Sequence, residues 1–453
     1  MSTSLSQTTN NQIKEPQGLS ERITWLRDYY FEGCKRNWNN EYTAWSTGTP
    51  WDLLYQELTY YIVPEVYMLI DALGGGYHQA ARNIPLKDDF WSLSLVERHA
   101  WFLKEVMVNH LPQEILPGDL LAGGRFNVIT STCFTKEERK AYDKKVVSKN
   151  GARAQMKWFH DHGYGNAGAT SGHLVPGYER ILNIGWKGVH AELEAAFDAL
   201  SPEEQQGRRG DQLRAMMTSA TLPRDLAKQY AGVCQDLARG ESAVERQDEL
   251  LQMAAILEQV PWEPPQTFWE AVQALWLTHM LIMSDENYPG PGVSFGRIDQ
   301  YLLPYWEYSS SQGMDREFAK EILKCFWFHC NTAYDAMIRN GNQGITAGFG
   351  QLITLSGVGP DGRDMTNDLT YMFLEVIDEM TPILEPKPNV RLHRNSPEPL
   401  LDKVISMISD SQGAPFLINF DERSMAGMIL EAKKAGLSHL INADNVHDYA
   451  PVG

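Results

Sequence analysis

The stretch SDENYPGPGVSFGRIDQYLLPYW, Ser284 to Trp306, decides how the rest of the chain is read. It follows an apolar run, Phe268 to Met283, in which Trp269, Val272, Leu275, Trp276, Met280 and Met283 recur at helical spacing, so a buried helix delivers the chain into it. Pro289, Gly290, Pro291 and Gly292 then stop the helix and let the backbone pass close to a neighbour or a ligand. An apolar helix begins again past the SFGR of Ser294 to Arg297. Arg297 beside Ser294 and Asp299 at a helix entrance reads as a charge held by local partners, because an unpaired charge near a core is unfavourable. On local physics alone the plainer reading is preferred: a helix-to-helix connection with a capping Ser and a surface Arg, since Pro and Gly are commonest in ordinary turns.

Downstream, Met314–Ile338 reads as a helix, and Asn342–Met380 reads as strand, Asp-Gly turn and helix. Glu385–His393 is a second short strand after a Pro-rich turn. Helix follows at Ser396–Asp410, strand at Gly413–Phe420 and helix at Ser424–Leu437. This alternation predicts an α/β architecture whose strands are covered by helices, most simply a barrel-like sheet. Upstream, Met1 to about Gly18 is rich in Ser, Thr, Asn and Gln and reads as disordered. Ser20 caps a first helix, and Arg36–Leu73 is dense in Trp and Tyr, which implies burial against something large. A helix ends near His110, and a short strand is expected after the Pro117-Gly118-Asp119 turn. From Glu192 to Val260 the chain reads as helical with solvated charged faces, SPEEQQGRRG (Ser201–Gly210) being a linker. The expected organisation is therefore a polar N-terminus, residues 1–19, and one domain over residues 20–453.

A chain of 453 residues, 43% hydrophobic with 13 Trp and 19 Tyr, has material for a large aromatic core. Its 58 acidic against 40 basic residues give a formal charge of −18, which argues against a nucleic-acid partner. Five cysteines, Cys34, Cys133, Cys234, Cys325 and Cys330, are odd in number and sit mostly in apolar or helical surroundings. Reduced buried thiols and a cytoplasmic location are expected. The N-terminus lacks the basic and apolar regions of a secretory signal, and no window reaches a membrane-spanning apolar length.

His160 and His162 flank Asp161 and on a strand would share one face, which invites a metal. No third ligand at matching spacing stands out, so the non-metal reading is preferred. The Cys325–Cys330 spacing fits neither a zinc nor a redox motif, and buried core thiols are expected. Gly74–Gly76 and Gly165–Gly172 lack the strand-loop-helix context of a nucleotide site and read as loops, and no Gly-x-Ser-x-Gly elbow occurs.

Five segments occur together in the order and approximate spacing of one family: GHLVPGYERIL (Gly172–Leu182), SFGRIDQYLLPYW (Ser294–Trp306), ITLSGVGPDGRDMTNDLT (Ile353–Thr370), EPKPNVRLH (Glu385–His393) and the terminal DYAPVG (Asp448–Gly453). On these motifs the chain resembles the glycyl radical enzymes of the pyruvate formate-lyase-like superfamily from about residue 20 onward, and among branches the arylacetate decarboxylases more than pyruvate formate-lyase. The resemblance implies the N-terminal half of a ten-stranded α/β barrel surrounded by helices, with a largely helical N-terminal region. It also implies a radical carbon-carbon lyase acting through a thiyl on a Cys loop, with a Glu two residues after the Cys as base in several branches. The glycyl radical itself would be installed by an activating enzyme using S-adenosylmethionine and an iron-sulfur cluster. A closed barrel suits this chemistry, which must be kept from water and oxygen.

In relatives the Cys directly follows a DYAPVG-like stretch, so the expected Cys would come after Gly453, and no catalytic role passes to the five cysteines present. The resemblance therefore implies a truncated chain, inactive alone, whose remainder would be cut off by a UGA codon, carried on a second chain or missing from a partial gene. Carried onto matching motifs, it makes His173 and Ser294 candidates for substrate contact, with a satisfied core His and a helix cap as their plainer alternatives. Arg297 becomes a structural holder of the loop, its alternative a surface ion pair. Expected partners are the activating enzyme, the rest of the barrel, a small carboxylic acid substrate and a second copy in a homodimer. A dehydratase or other eliminating lyase is the alternative reaction, and a partner-binding half-fold the alternative outside catalysis.

Overall fold

The computed structural model describes residues 18–28, 84–110, 113–124, 133–164, 174–285, 293–332, 351–380, 386–410 and 417–449. The expected disordered N-terminus up to residue 17, the aromatic Arg36–Leu73 stretch, Cys34 and both glycine loops lie outside those residues, as does His173.

Helices dominate. The Arg208–Gly240 helix packs against the helices Leu95–Glu105, Tyr178–Asp198 and Val244–Gln259, forming a helical layer ahead of the sheet. The expected solvated linker is partly helical. Ser201 accepts from the Glu204 amide while Glu204 Oε2 accepts from the Ser201 amide, a reciprocal cap that opens a turn at Pro202–Gln205. Among the described residues the strand expected after Asp119 does not form, and Asp119–Gly124 runs as irregular chain. Its main-chain groups are taken up by side chains, the Ala122 amide by Gln273 Oε1 at 2.8 Å and the Leu120 carbonyl by Trp269 Nε1 at 2.7 Å.

The apolar run before the opening stretch forms the Phe268–Asp285 helix, buried along nearly its whole length. It packs against the Arg316–Thr332 helix, which packs in turn on Asp368–Met380. Beyond these helices lies a parallel sheet in the order β1 (Leu352–Ser356), β2 (Lys387–Leu392), β3 (Leu417–Phe420). Helices Asp368–Met380 and Glu398–Asp410 fill the two crossovers, as parallel pairing requires. Two isolated parallel bridges continue the sheet beyond β1: Gly296 with Ile353, and Leu174 with Val293. Five chain segments thus pair side by side, all parallel and in sequence order. The described residues form a mostly helical α/β unit around this sheet.

The register sorts the side chains. Thr354 pairs with Asn389 and that with Leu417, and Ser356 pairs with Arg391 and that with Asn419. Residues one step away, Ile353, Leu355 and Val390, belong to the same buried apolar cluster as Leu369 and Phe373 of the covering helix. Because side chains alternate across a strand, the sheet has an apolar face toward the helices and an opposite face carrying Thr354, Ser356, Asn389, Arg391 and Asn419. Buried parallel strands are ordinarily apolar on both faces, so this polar row is the departure that locates a site.

Candidate functional site

The polar face is internally bonded. Asn389 Nδ2 donates to Thr354 Oγ1 at 3.3 Å, and Asn419 Nδ2 donates to Asn389 Oδ1. Thr354 and Asn389 are buried and Asn419 is half-buried. Next along the sheet, Phe295 stacks on His279 at 4.0 Å and meets Phe326 at 5.0 Å on the helical side. Its neighbour Ser294 therefore turns to the polar side, where its Oγ accepts from the Leu352 amide at 3.3 Å. Ser294 is not a helix cap. It joins the SFGR segment to β1, because the following helix, Ile298–Tyr301, has Arg297 at its N-cap position with no side-chain cap bond.

At the carboxyl ends of the strands the side chains are charged. Arg391, fully buried, forms a two-point ion pair with Asp421 (Nε–Oδ1 2.7 Å, Nη2–Oδ2 3.0 Å) and donates through Nη1 to the His447 carbonyl at 2.9 Å. Asp421 Oδ2 also accepts from the Val358 amide at 2.7 Å. This crowding explains the turn between them: a Cβ on Gly357 (φ +91°) would lie 2.7 Å from Arg391 Nε and 2.9 Å from Asp421 Oδ2. Ser356 is itself at φ +64°. Its amide is held by Asp299 Oδ2 at 2.7 Å and its hydroxyl lies 2.8 Å from Thr366 Oγ1. Thr366 donates to Asp364 Oδ1 at 2.9 Å, and that oxygen also faces His393 Nε2 at 2.9 Å.

The charge of Asp299 favours the Arg297 guanidinium, as expected of a local partner, but the hydrogen bond of Arg297 goes elsewhere. Its Nη2 donates to the Ser356 carbonyl at 3.2 Å, whereas Asp299 spends Oδ2 on the Ser356 amide and the Thr370 hydroxyl (2.6 Å). Ser294 and Asp299 are near Arg297 in sequence, but the carbonyl it bonds is supplied by β1. Burial pushes the Arg297 guanidinium down from its usual range, with the like charge of Arg391 adding to the effect. Burial likewise pushes the Asp299 carboxyl up, against the hydrogen bonds from Thr370 and Ser356.

The remaining sequence candidates separate. His160 and His162 do not sit on a strand, because Ala152–Asp161 is a helix. His162 stacks on Trp158 at 4.2 Å and its Nδ1 lies 2.8 Å from the Trp158 carbonyl. No cluster able to hold a metal ion occurs among the described residues. Cys133, Cys234, Cys325 and Cys330 are buried in the apolar core. Burial pushes the Cys234 thiol up to about 12 and the Cys325 thiol well above its usual value, so neither is poised as a thiolate. Asn389, Arg391 and Asn419 escaped the sequence reading. Their signal was polar residues at alternate positions inside KPNVRL and LINF, strands otherwise apolar.

A family model described as Pyruvate formate lyase-like matches residues 136–453. Over 276 residues the chain is 33% identical to the isethionate sulfite-lyase of Desulfovibrio desulfuricans, covering 60% of this chain and 31% of that protein. Over 312 residues it is 31% identical to the (2S)-3-sulfopropanediol dehydratase of Klebsiella oxytoca, covering 67% and 36%. The indoleacetate decarboxylase of Tractidigestivibacter scatoligenes is 33% identical over a shorter 180 residues, 39% of this chain and 20% of that protein. The structure of a glycyl radical enzyme from Archaeoglobus fulgidus superposes with a TM-score of 0.62 at 25% identity, over 85% of this chain and 54% of that one. The aligned part of this chain spans about a third of the length of the sulfite-lyase and the sulfopropanediol dehydratase.

Proposed function

The chain belongs to the pyruvate formate lyase-like family of glycyl radical enzymes, and on that premise we propose that the whole protein is a radical lyase that eliminates a group from a small, polar aliphatic substrate. Substrates of the kind named by isethionate sulfite-lyase and sulfopropanediol dehydratase fit this description. The supporting observation is the polar row of Ser294, Thr354, Asn389 and Asn419. No aromatic side chain stands at the paired positions of that face, Thr354–Asn389–Leu417 and Ser356–Arg391–Asn419. Buried amides and hydroxyls discriminate strongly in favour of ligands that return their hydrogen bonds and against apolar rings that do not.

In this reading the family's thiyl radical, made through a glycyl radical that an S-adenosylmethionine iron-sulfur activating enzyme installs, supplies hydrogen-atom abstraction. This chain's residues do the holding. Asn389 and Asn419 present amide groups to substrate oxygens, and the apolar layer of Ile353, Leu355 and Val390 closes the far side of the sheet to water. The Arg391–Asp421 pair fixes the strand ends and ties them to the backbone at His447. The five parallel, sequence-ordered segments are what one side of a ten-stranded barrel would require. A second reading, decarboxylation of an arylacetate, is favoured by the 180-residue match to indoleacetate decarboxylase.

Binding separates the two. Titration calorimetry of the chain should show uptake of a hydroxyalkyl sulfonate such as isethionate. Asn389→Leu should weaken it by about tenfold or more, the effect of leaving one hydrogen-bonding group unmatched. Uptake of indoleacetate with none of the sulfonate would overturn the proposal in favour of the second reading.

A further inference from the structure

On the helical side of the sheet, a buried row of polar side chains has a fixed direction. Gln351 Nε2 donates to the Cys330 carbonyl at 2.8 Å, so Gln351 Oε1 is turned to His279 and can only accept. The 2.8 Å contact between that oxygen and His279 Nε2 then places a proton on Nε2. Nδ1 is left as the lone-pair nitrogen, and the Tyr178 hydroxyl, 2.6 Å away, donates to it. Tyr178, His279 and Gln351 are 2%, 0% and 1% exposed, so water does not compete for any of these bonds.

Three other oxidisable rings end differently. The Tyr301 hydroxyl donates to the Phe295 carbonyl at 2.9 Å, Trp276 Nε1 to the Gly123 carbonyl at 2.7 Å, and Trp269 Nε1 to the Leu120 carbonyl at 2.7 Å. A phenol or indole that loses an electron becomes strongly acidic, and stranding that charge in a dry core is unfavourable. A peptide carbonyl is too weak a base to remove the proton, whereas neutral imidazole accepts it readily. Among these four rings Tyr178 alone has a base in hydrogen-bond contact.

We propose that Tyr178 and His279 form a one-electron donor site. The Tyr178 ring gives one electron to a one-electron oxidant while the phenolic proton crosses to His279 Nδ1, leaving a neutral tyrosyl radical hydrogen-bonded by an imidazolium. A thiyl radical receiving the electron becomes a thiolate, and a ruthenium(III) polypyridyl becomes ruthenium(II). Returning the electron sends the proton back to the phenol. Burial holds the Tyr178 phenol well above its usual range, so the proton stays on oxygen until the electron leaves. Tyr301 at 6.5 Å from the Tyr178 ring, and Trp276 at 6.0 Å from the His279 ring, are the aromatic contacts through which an oxidising equivalent would arrive. Its use in the protein, draining a stray thiyl into a protected phenol, rests on the radical-lyase reading. The site itself does not.

The test is flash photo-oxidation of the chain with tris(bipyridine)ruthenium(II) and a cobalt(III) quencher, without oxygen, on protein carrying nitrogen-15 histidine. Freeze-quenched samples should give a tyrosyl electron-nuclear double resonance spectrum with coupling to one histidine nitrogen and to an exchangeable proton. Tyr178→Phe, which keeps the ring, should abolish that signal. His279→Asn should lose the nitrogen coupling, and His279→Gln should lose it equally if His279→Asn fails to fold. A histidine-coupled tyrosyl signal that survives Tyr178→Phe, or none in the native chain, would overturn the proposal. Because the oxidant is external, either result is independent of whether the enzyme is a lyase.

Discussion

Gly185 sits at φ +64° within the Tyr178–Asp198 helix, and a Cβ there would lie 2.2 Å from the Trp262 carbonyl oxygen. The kink frees the amides of Trp186 and Lys187, which donate to the Pro261 and Trp262 carbonyls at 3.0 and 2.9 Å. Only glycine satisfies both the angle and the approach. Gly185→Ala should therefore destabilise the chain by about 2–3 kcal/mol, read as a lower urea midpoint at unchanged slope. In sequence, Gly185 is one of two glycines in the helical stretch ERILNIGWKG, Glu179–Gly188. Nothing local says that the chain bends there, because the reason is the carbonyl of Trp262, far along the chain. The same holds at the site. Ser294 and Arg297 stood out as a motif, yet the groups that bond them, the Leu352 amide and the Ser356 carbonyl, belong to β1.

Two helices meet through a ladder of charges. Arg316, Lys320 and Lys324 recur every four residues on one helix, as Glu375 and Glu379 do on the next. Arg316 bonds Glu375, Lys320 bonds Glu379, and Lys324 reaches Glu379 Oε2 at 2.7 Å. Each stripe is legible in the sequence as a charged helix face, but not that the two faces oppose. Burial acts to raise the Glu379 carboxyl, and the hydrogen bonds and charges of Lys320 and Lys324 outweigh it, so its folded value lies below the usual carboxylate range. The sign follows. A depressed carboxylate contributes stability that is fully present above its unfolded value of about 4.5 and is lost as pH falls through the lower folded value. Lys320, raised despite its burial, contributes below about 10.5 and loses that contribution as pH rises through its folded value. Glu379→Gln should cost about 2 kcal/mol at neutral pH. It should also flatten the acid limb of the stability-pH curve, which urea midpoints from neutral pH down through pH 3 would record.

Across the whole molecule the sheet is unevenly covered. β1 and β2 are buried, whereas Leu417 and Phe420 of β3 are 43% and 55% exposed, and Ile405 on the helix before β3 and Leu430 on the helix after it are exposed as well. Among the described residues β3 pairs on one side only. An apolar strand edge of this kind templates association. Sedimentation velocity should find the chain self-associating in the micromolar range, and Leu417→Lys with Phe420→Glu should shift it toward monomer without lowering its melting temperature. A native chain that stays monomeric over that range would refute this. By itself the sequence determined the alternation of strand and helix after Trp306, the buried helix before Ser284, and the five ordered motifs that match one family. These are local or collinear properties, written in periodicity, turn residues and motif order. Only the tertiary structure decided which face of the sheet is polar and which carbonyl holds Arg297. It alone also paired Arg391 with Asp421 and Tyr178 with His279. Pairing register and contacts between residues far apart in the chain are fixed when the strands and helices pack, and no local pattern encodes them.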